Sequence, residues 1–339
     1  MVSPSGRRKP TLRTVADAAK VSTSTVSRVY SHPHRLKPTT VERVRTIASE
    51  LGYVPHATAQ ALSTGRLSTI AVVVPDIANS FFPPLIRAAQ DSAQAKGFST
   101  LLGNTDENTD KELDLLTKLE QRTDGIVLAS SRLSDEIIRS RTHHPLVLVN
   151  RDVDDVPRAL LDSAPGMREA VHHLHDLQHR HIAYVGGPAN SWSDEERRRT
   201  ITHETAALGM TVSMLGAHRP DHEEGREAAR EVLAAGATAV IAFDDTIAQG
   251  VLARMAELQI DVPAQISIVG CDDILASRTH PPLTTVHGQS IEVGRLAVDM
   301  LLSIIEHGTD HEDHAHDNCQ SLESTLVVRG STGPAPRTG

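Results

Sequence analysis

The sequence predicts two parts of different class: an N-terminal all-α helix-turn-helix domain, then an α/β core of two doubly wound subdomains. Three observations carry this. Residues 11–55 contain three short amphipathic helical patterns in close succession. From residue 67 onward, apolar runs of strand length alternate with helix-length segments, the pattern of parallel strands buried on both faces. Charge divides at the same place. Residues 1–66 hold eleven Lys and Arg against three acids, a net +8, in a chain whose formal charge is −9, so the remainder carries −17. A basic head on an acidic body attracts phosphate through one module while the body stays soluble and is repelled from nucleic acid.

At 339 residues the chain is long enough for more than one hydrophobic core. Its two cysteines, Cys271 and Cys319, allow neither a disulfide framework nor a cysteine-based metal site, and they fit a reducing compartment. The N-terminal stretch MVSPSGRRKP has no apolar signal core, and the longest apolar runs, such as 70–75, are strand-length. The expectation is a cytoplasmic protein with no membrane association.

In the head, Thr11 can cap a helix over 12–19, with Val15, Ala18 and Ala19 forming its apolar face. Ser22 caps a second helix over 23–30. Val26 and Val29 point to one side of it, and Thr23, Ser24, Ser27 and Arg28 to the other. A third, over 39–51, places Val44, Ile47, Ala48 and Leu51 on one stripe and ends at Gly52. Such a unit sets its second helix in a major groove, where Arg28 can donate two hydrogen bonds to a guanine and Thr23 and Ser24 can reach base edges. Ser22 taken alone is an ordinary helix cap. The following residues 56–64 are too few, and too poor in large apolar groups, to hold an isolated helix.

The strand-like runs of the core are Ile70–Val74, Phe98–Leu102, Gly125–Ala129, Leu146–Val149, Ile182–Val185, Val240–Phe243 and Ile266–Gly270. Ligands of doubly wound sheets sit beyond the carboxyl ends of the strands. The residues found there are Asp76, Asn79, Phe81 and Phe82; Asn150 and Arg151; Trp192 and Arg197; Asp244 and Asp245; Asp272 and Asp273. Carboxylates, amides and guanidinium groups grip hydroxyls, and aromatic faces stack on the apolar side of a sugar ring. The set suits a polyhydroxylated ligand. Two histidine-rich stretches, His172, His173, His175, His179 and His181, then His307, His311, His314 and His316, are read as solvated helix and loop rather than as a metal site. No nucleophile elbow, phosphate-binding loop or zinc-protease pattern occurs, so no catalytic residue, metal or cofactor is expected. A secreted solute receptor would have no use for the basic head.

The stretch TVADAAKVS (14–22), followed by TVSRV (25–29) and ELGYVP (50–55), resembles the DNA-binding head of the lactose-repressor (LacI/GalR) family. The resemblance runs on through AVVVPDIANSFF (71–82), TDGIV (123–127), VGCDD (269–273), PLTTV (282–286) and VRGST (328–332). It implies a helix-turn-helix domain over 11–55, a hinge over 56–66 and a periplasmic-binding-protein-like core over 67–330. The first subdomain of that core would span about 67–163 and 290–328, the second about 164–289.

It further implies that Thr23, Ser24 and Arg28 read bases while Ser22, Thr25 and Ser27 lie near phosphates. His56, Ala59 and Leu62 would enter the minor groove when two hinges meet, Leu62 prying a base step. Phe81, Arg151, Arg197, Asp244 and Asp272 would contact an effector, with Asp76, Asn79, Phe82 and Asn150 beside them and Trp192 as a stacking face. The partners implied are double-stranded operator DNA, a small sugar-like effector and a second copy of the chain, as a homodimer or homotetramer. The function implied is a repressor of carbohydrate genes responding to ribose or a nucleoside; the alternative is a corepressor-dependent regulator responding to a nucleobase or other metabolite. Several positions depart from the family pattern. Lys20 stands at a turn where glycine is usual, at a cost of about 1 kcal/mol if φ is positive there. Thr200 and Ile201 replace Gly-Phe, Asp244 a common Asn, Gly288 a common Gln, and Pro220 an aromatic lid.

Overall fold

The computed structural model describes residues 10–31, 33–53, 66–217, 219–307 and 318–336. It divides into a unit of residues 1–69 with 122–124 and a unit of residues 70–121 with 125–339.

The first unit contains α1 (Leu12–Ala19), α2 (Thr23–Ser31) and α3 (Pro38–Leu51). Thr11 Oγ1 accepts from the Thr14 N–H at 3.3 Å and Thr14 Oγ1 accepts from the Thr11 N–H at 3.2 Å, a reciprocal cap. The small core consists of Val15, Ala16, Ala19, Val26, Val29, Val44, Ala48 and Tyr53. Ala18, expected inside, is exposed, and Ala16 takes its place. Leu51, also expected inside, stays 39% exposed at the helix end. Lys20 adopts φ 53° and ψ 47°, the left-handed conformation expected of that turn, with its N–H bonded to the Ala16 and Asp17 carbonyls. Farther along, Asp124 accepts from the backbone N–H groups of Leu67 (2.8 Å) and Thr69 (3.2 Å), pinning the chain where it leaves this unit.

The second unit holds two six-stranded sheets. The first, in the order β11-β5-β4-β3-β1-β2, uses Thr69–Val74 (β1), Ser99–Asn104 (β2), Gly125–Ala129 (β3), Leu146–Val149 (β4), Arg158–Asp162 (β5) and Cys319–Glu323 (β11). The other, in the order β12-β10-β9-β8-β6-β7, uses His181–Gly186 (β6), Thr211–Ala217 (β7), Ala239–Ala242 (β8), Ser267–Asp272 (β9), Thr284–His287 (β10) and Thr325–Val327 (β12). The pairings β1–β3–β4–β5–β11 and β7–β6–β8–β9–β10 are parallel, and β12 is antiparallel to β10.

Helices cover both faces of each sheet. On the first sheet α4 (Phe82–Ala95) and α11 (Ser290–His307) bury Leu85, Val293 and Leu301 on one side, while α5 (Thr109–Leu119) and α6 (Asp135–Ser140) bury Leu116 and Ile138 on the other. On the second, α7 (Ala164–Asp176) and α8 (Trp192–Ala207) bury Met167, Leu174 and Ile201. Opposite them α9 (His222–Ala234) and α10 (Asp245–Glu257) approach so closely that a Cβ on Gly225 would lie 2.3 Å from the Ile247 carbonyl oxygen and one on Gly250 2.2 Å from that of His222. Only glycine fits at that crossing.

Two expectations need correction. Ser99–Asn104 is an edge strand, with Leu101 39% and Leu102 46% exposed, so a buried position on both faces does not hold for it. Thr325–Val327 belongs to the second sheet, although the expected division kept the chain to 328 with the first subdomain. The chain crosses between the lobes near 163, 288 and 324, and side chains lace these crossings. Ser324 Oγ accepts from the Gly166 N–H at 3.1 Å, and Gln289 Nε2 donates to the Glu323 carbonyl at 2.8 Å. Among the described residues no helix is long and apolar enough to cross a membrane.

The C-terminal tail is tied beneath the second sheet by His179. This fully buried side chain meets Thr238 through Nδ1 (2.8 Å) and, through Nε2, Ser267 (3.0 Å) and the Gly333 carbonyl (3.1 Å), which requires the proton on Nε2. Burial lowers its pKa below the usual 6.5, the Gly333 carbonyl only partly offsetting it. The unfolded chain therefore takes up a proton below pH 6.5 that the fold resists, and the stability from the neutral ring, complete above that pH, is lost as the pH falls. Melting curves from pH 7.5 to 5 are expected to show Tm falling with acid, and falling less steeply in His179→Gln, whose Tm is lower throughout.

Candidate ligand cleft and nucleic-acid interface

On α2 the hydroxyl face survives folding intact. Thr23, Ser24 and Arg28 are exposed, Thr25 and Ser27 half-buried, and Val26 and Val29 fully buried beneath them. Ser22 is engaged as a cap: its Oγ accepts from the Thr25 N–H (3.1 Å) and lies 2.7 and 2.8 Å from the hydroxyls of Ser24 and Thr25. His56, Ala59 and Leu62 lie outside the described residues.

In each sheet the strand order reverses at one point, between β1 and β3 and between β6 and β8, and there the loops part to leave a crevice. A cavity of about 400 Å³ lies there, walled by Asn79, Phe81, Phe82, Asn150, Arg197, Asp244 and Asp272, together with Glu107, Ser130, Arg132, Ser191, Ser193, Pro220 and Phe243.

Asn79 and Asp244 join the lobes directly. Asn79 Nδ2 donates to Asp244 Oδ2 at 2.9 Å while its Oδ1 accepts from the Phe81 N–H at 2.9 Å, and Asp244 Oδ1 caps α10 by accepting from the Ile247 N–H at 2.8 Å. The Ser80 and Thr246 hydroxyls meet beside them at 3.3 Å. Burial pushes the Asp244 carboxyl up despite these donors.

Arg197 projects from α8 into the same wall. Its guanidinium lies 4.7 Å from the Phe243 ring centroid, donates through Nη1 to the Phe243 carbonyl, and has Nη2 3.8 Å from Asp272 Oδ1. Burial opposes its charge, but Cys271, Asp272, Tyr184 and Asp194 outweigh burial and raise its pKa. Burial drives the Asp272 carboxyl well above the carboxylate range, with Arg197 pulling the other way. Asp272 also has φ 104°, a conformation rare outside glycine, at the turn that aims it inward. Behind it, burial pushes Asp245 up to about 7, and Thr285 and the Ile274 N–H donate to that carboxyl at 2.7 and 3.1 Å.

Three expected residues are not on the wall. Arg151 turns away, donating through Nη2 to Asp135 (2.6 Å) and the Leu133 carbonyl (3.1 Å). Asp76 Oδ1 accepts from the Ala78 N–H at 2.9 Å in a local turn. Trp192 is half-buried as the first residue of α8, and its neighbours Ser191 and Ser193 line the cavity instead. Arg132 and Glu107, which sequence reasoning missed, form a nearly buried ion pair on the first lobe, Nε to Oε2 at 2.7 Å and Nη2 to Oε1 at 3.2 Å. Ser130 and Arg132 follow β3 directly, so the strand-end rule applied to that run would have found them. The His172–His181 segment is spent on local partners: His172 meets Glu204, His173 Thr332 and His181 Ser213.

Residues 11–56 match the bacterial regulatory proteins of the lacI family, and residues 171–332 the periplasmic binding protein-like domain. Over 338 residues, 96% of this chain and 97% of its counterpart, the chain is 30% identical to the HTH-type transcriptional repressor CytR of Escherichia coli. The chain belongs to the LacI family. Among solved structures it is similar to the lac repressor dimer bound to operator and an anti-inducer, with a TM-score of 0.83 and 26% identity over 96% of this chain and 100% of that one. It is also similar to a LacI-family regulator of Enterococcus faecium with bound ribose, with a TM-score of 0.69 and 27% identity over 78% and 99%. As a LacI-family member it is a DNA-binding transcriptional regulator, with the Lac repressor-like fold of helix-turn-helix head and two-sheet core.

Two substitutions probe these sites. Arg28→Ala is expected to cost about 1–3 kcal/mol of operator binding and to relax selectivity at one base pair, read by binding to single-position operator variants. Arg197→Met is expected to cost about 3 kcal/mol of stability at pH 7, because it leaves buried carboxylates uncompensated; urea melts at pH 7 and 5 check this, the loss shrinking as acid protonates them.

Proposed function

We propose that this LacI-family regulator is a homodimeric repressor of carbohydrate catabolic genes, released from its operator by a sugar or nucleoside in the cleft, ribose or a related furanoside being the leading candidate. The carrying observation is the wall itself. Carboxylates, an amide and a guanidinium group stand beside the Phe81 and Phe243 rings around a space of about 400 Å³, a size and chemistry suited to a small polyol. The similarity to a ribose-bound family member supports the same reading.

In this reading Asn79, Phe81, Phe82, Asn150, Arg197, Asp244 and Asp272 hold the effector. Thr23, Ser24 and Arg28 read bases, with Ser22, Thr25 and Ser27 near phosphates and His56, Ala59 and Leu62 in the minor groove. An effector lodged between Asn79 and Asp244 changes how the lobes meet, and two heads held by a dimeric core then lose their register on a near-palindromic site.

The test has two parts, both on the full chain: selection of its operator from random duplex DNA, and a thermal-shift screen of sugars and nucleosides. The true effector at a hundred times its Kd raises stability by about 2.7 kcal/mol and weakens operator binding. If no sugar or nucleoside does both, the proposal fails.

A further inference from the structure

The electrostatics of the cleft narrow its ligand class. We infer that the effector is an uncharged polyol that donates hydroxyl protons to Asp244 and Asp272, and that phosphorylated sugars and nucleotides are excluded. This rests on the reading of the cavity as the effector site and deepens it.

Recognition of a phosphate needs an unspent guanidinium or ammonium group, or free N–H groups at a helix N-terminus. The wall supplies neither. Glu107, Asp244 and Asp272 stand against Arg132 and Arg197, so carboxylates outnumber cations three to two. Arg132 is neutralised by the bidentate pair with Glu107, both side chains being almost wholly buried (7% and 14% exposed). Arg197 is engaged by the Phe243 carbonyl and ring and lies within reach of Asp272.

The helix ends are closed to anions as well. Three helices place their caps on the wall: α4 through Phe81, α8 through Ser191 and α10 through Asp244. At α4 the N–H groups of Phe81 and Phe82 are taken by the Asn79 side chain and carbonyl, and Pro83 and Pro84, next in the turn, have none. At α8 the Asp194 and Glu195 N–H groups are bonded to Ser191, and the same two residues put carboxylates into the first turn. At α10 Asp244 itself fills the cap and Asp245 follows. Each position where a helix dipole would welcome a phosphate thus carries a carboxylate or lacks its donors.

What remains suits hydroxyls. Carboxylate oxygens accept, and Arg197 Nε, buried with no hydrogen-bond partner, leaves one N–H unmatched on this wall. A sugar hydroxyl can accept from one group while donating to the other; a phosphate dianion can only accept, beside fixed negative charge.

Isothermal titration of the full chain with matched pairs tests this: ribose and ribose 5-phosphate, glucose and glucose 6-phosphate, adenosine and its 5′-monophosphate, cytidine and its 5′-monophosphate, with inorganic phosphate alone as a further probe. The expected result is one or more neutral members binding, their phosphorylated partners at least about tenfold weaker, and no heat from phosphate. A phosphorylated member that binds as tightly as its neutral partner, or more tightly, overturns the inference while leaving a sugar-responsive regulator standing. Silence from every pair overturns this inference and the sugar reading together.

Discussion

The hydrogen bond from Asn79 to Asp244 is the contact on which the organisation of the core turns. Asn79 belongs to the turn after the first strand of one sheet and Asp244 to the end of a strand in the other, so a 2.9 Å bond between them fixes how the two lobes meet at the cavity. Neither side chain is free to leave without consequence. Asn79 also holds the Phe81 N–H, which orients the α4 entry, and Asp244 caps α10. A ligand inserted between them perturbs a strand end, two helix starts and the lobe contact at once. This is how a small molecule acquires leverage over a large body.

The paired carboxylates tolerate burial because Arg197 is buried among them. One guanidinium serves two aspartates and an aromatic face, and the aspartates are pushed toward protonation by burial and by one another. Such a wall is rich in acceptors and poor in spare positive charge, properties that select a ligand by hydrogen-bond direction rather than by ionic attraction.

Much of this was legible in the chain. Strands whose residues are apolar throughout, such as Gly125–Ala129 and Leu146–Val149, have the expected limits, because two-sided burial leaves a continuous apolar run. Arg158–Asp162, Thr211–Ala217 and Cys319–Glu323 escaped, since half-exposed strands mix polar residues into the run and lose that signal. The strand-end rule located seven residues of the wall but not the direction of their side chains. Arg151 follows a strand as Asn150 does, yet Asp135 at the start of α6 draws its guanidinium away, a contact between residues of separate loops that no local pattern shows. In the head, the left-handed turn at Lys20 was predictable from the resemblance and is present despite the Cβ, its N–H satisfied by two carbonyls.

Control of DNA affinity by the cleft is a statement about linkage: occupancy of one site must change the free energy of the other, by the same factor in both directions. The most direct measurement is operator affinity of the full chain, by fluorescence anisotropy, without effector and at saturation, paired with effector affinity measured without and with operator. The account predicts operator binding weakened about tenfold or more by the effector, and effector binding weakened by the same factor on operator. An operator affinity that is identical in the empty and saturated states would contradict it.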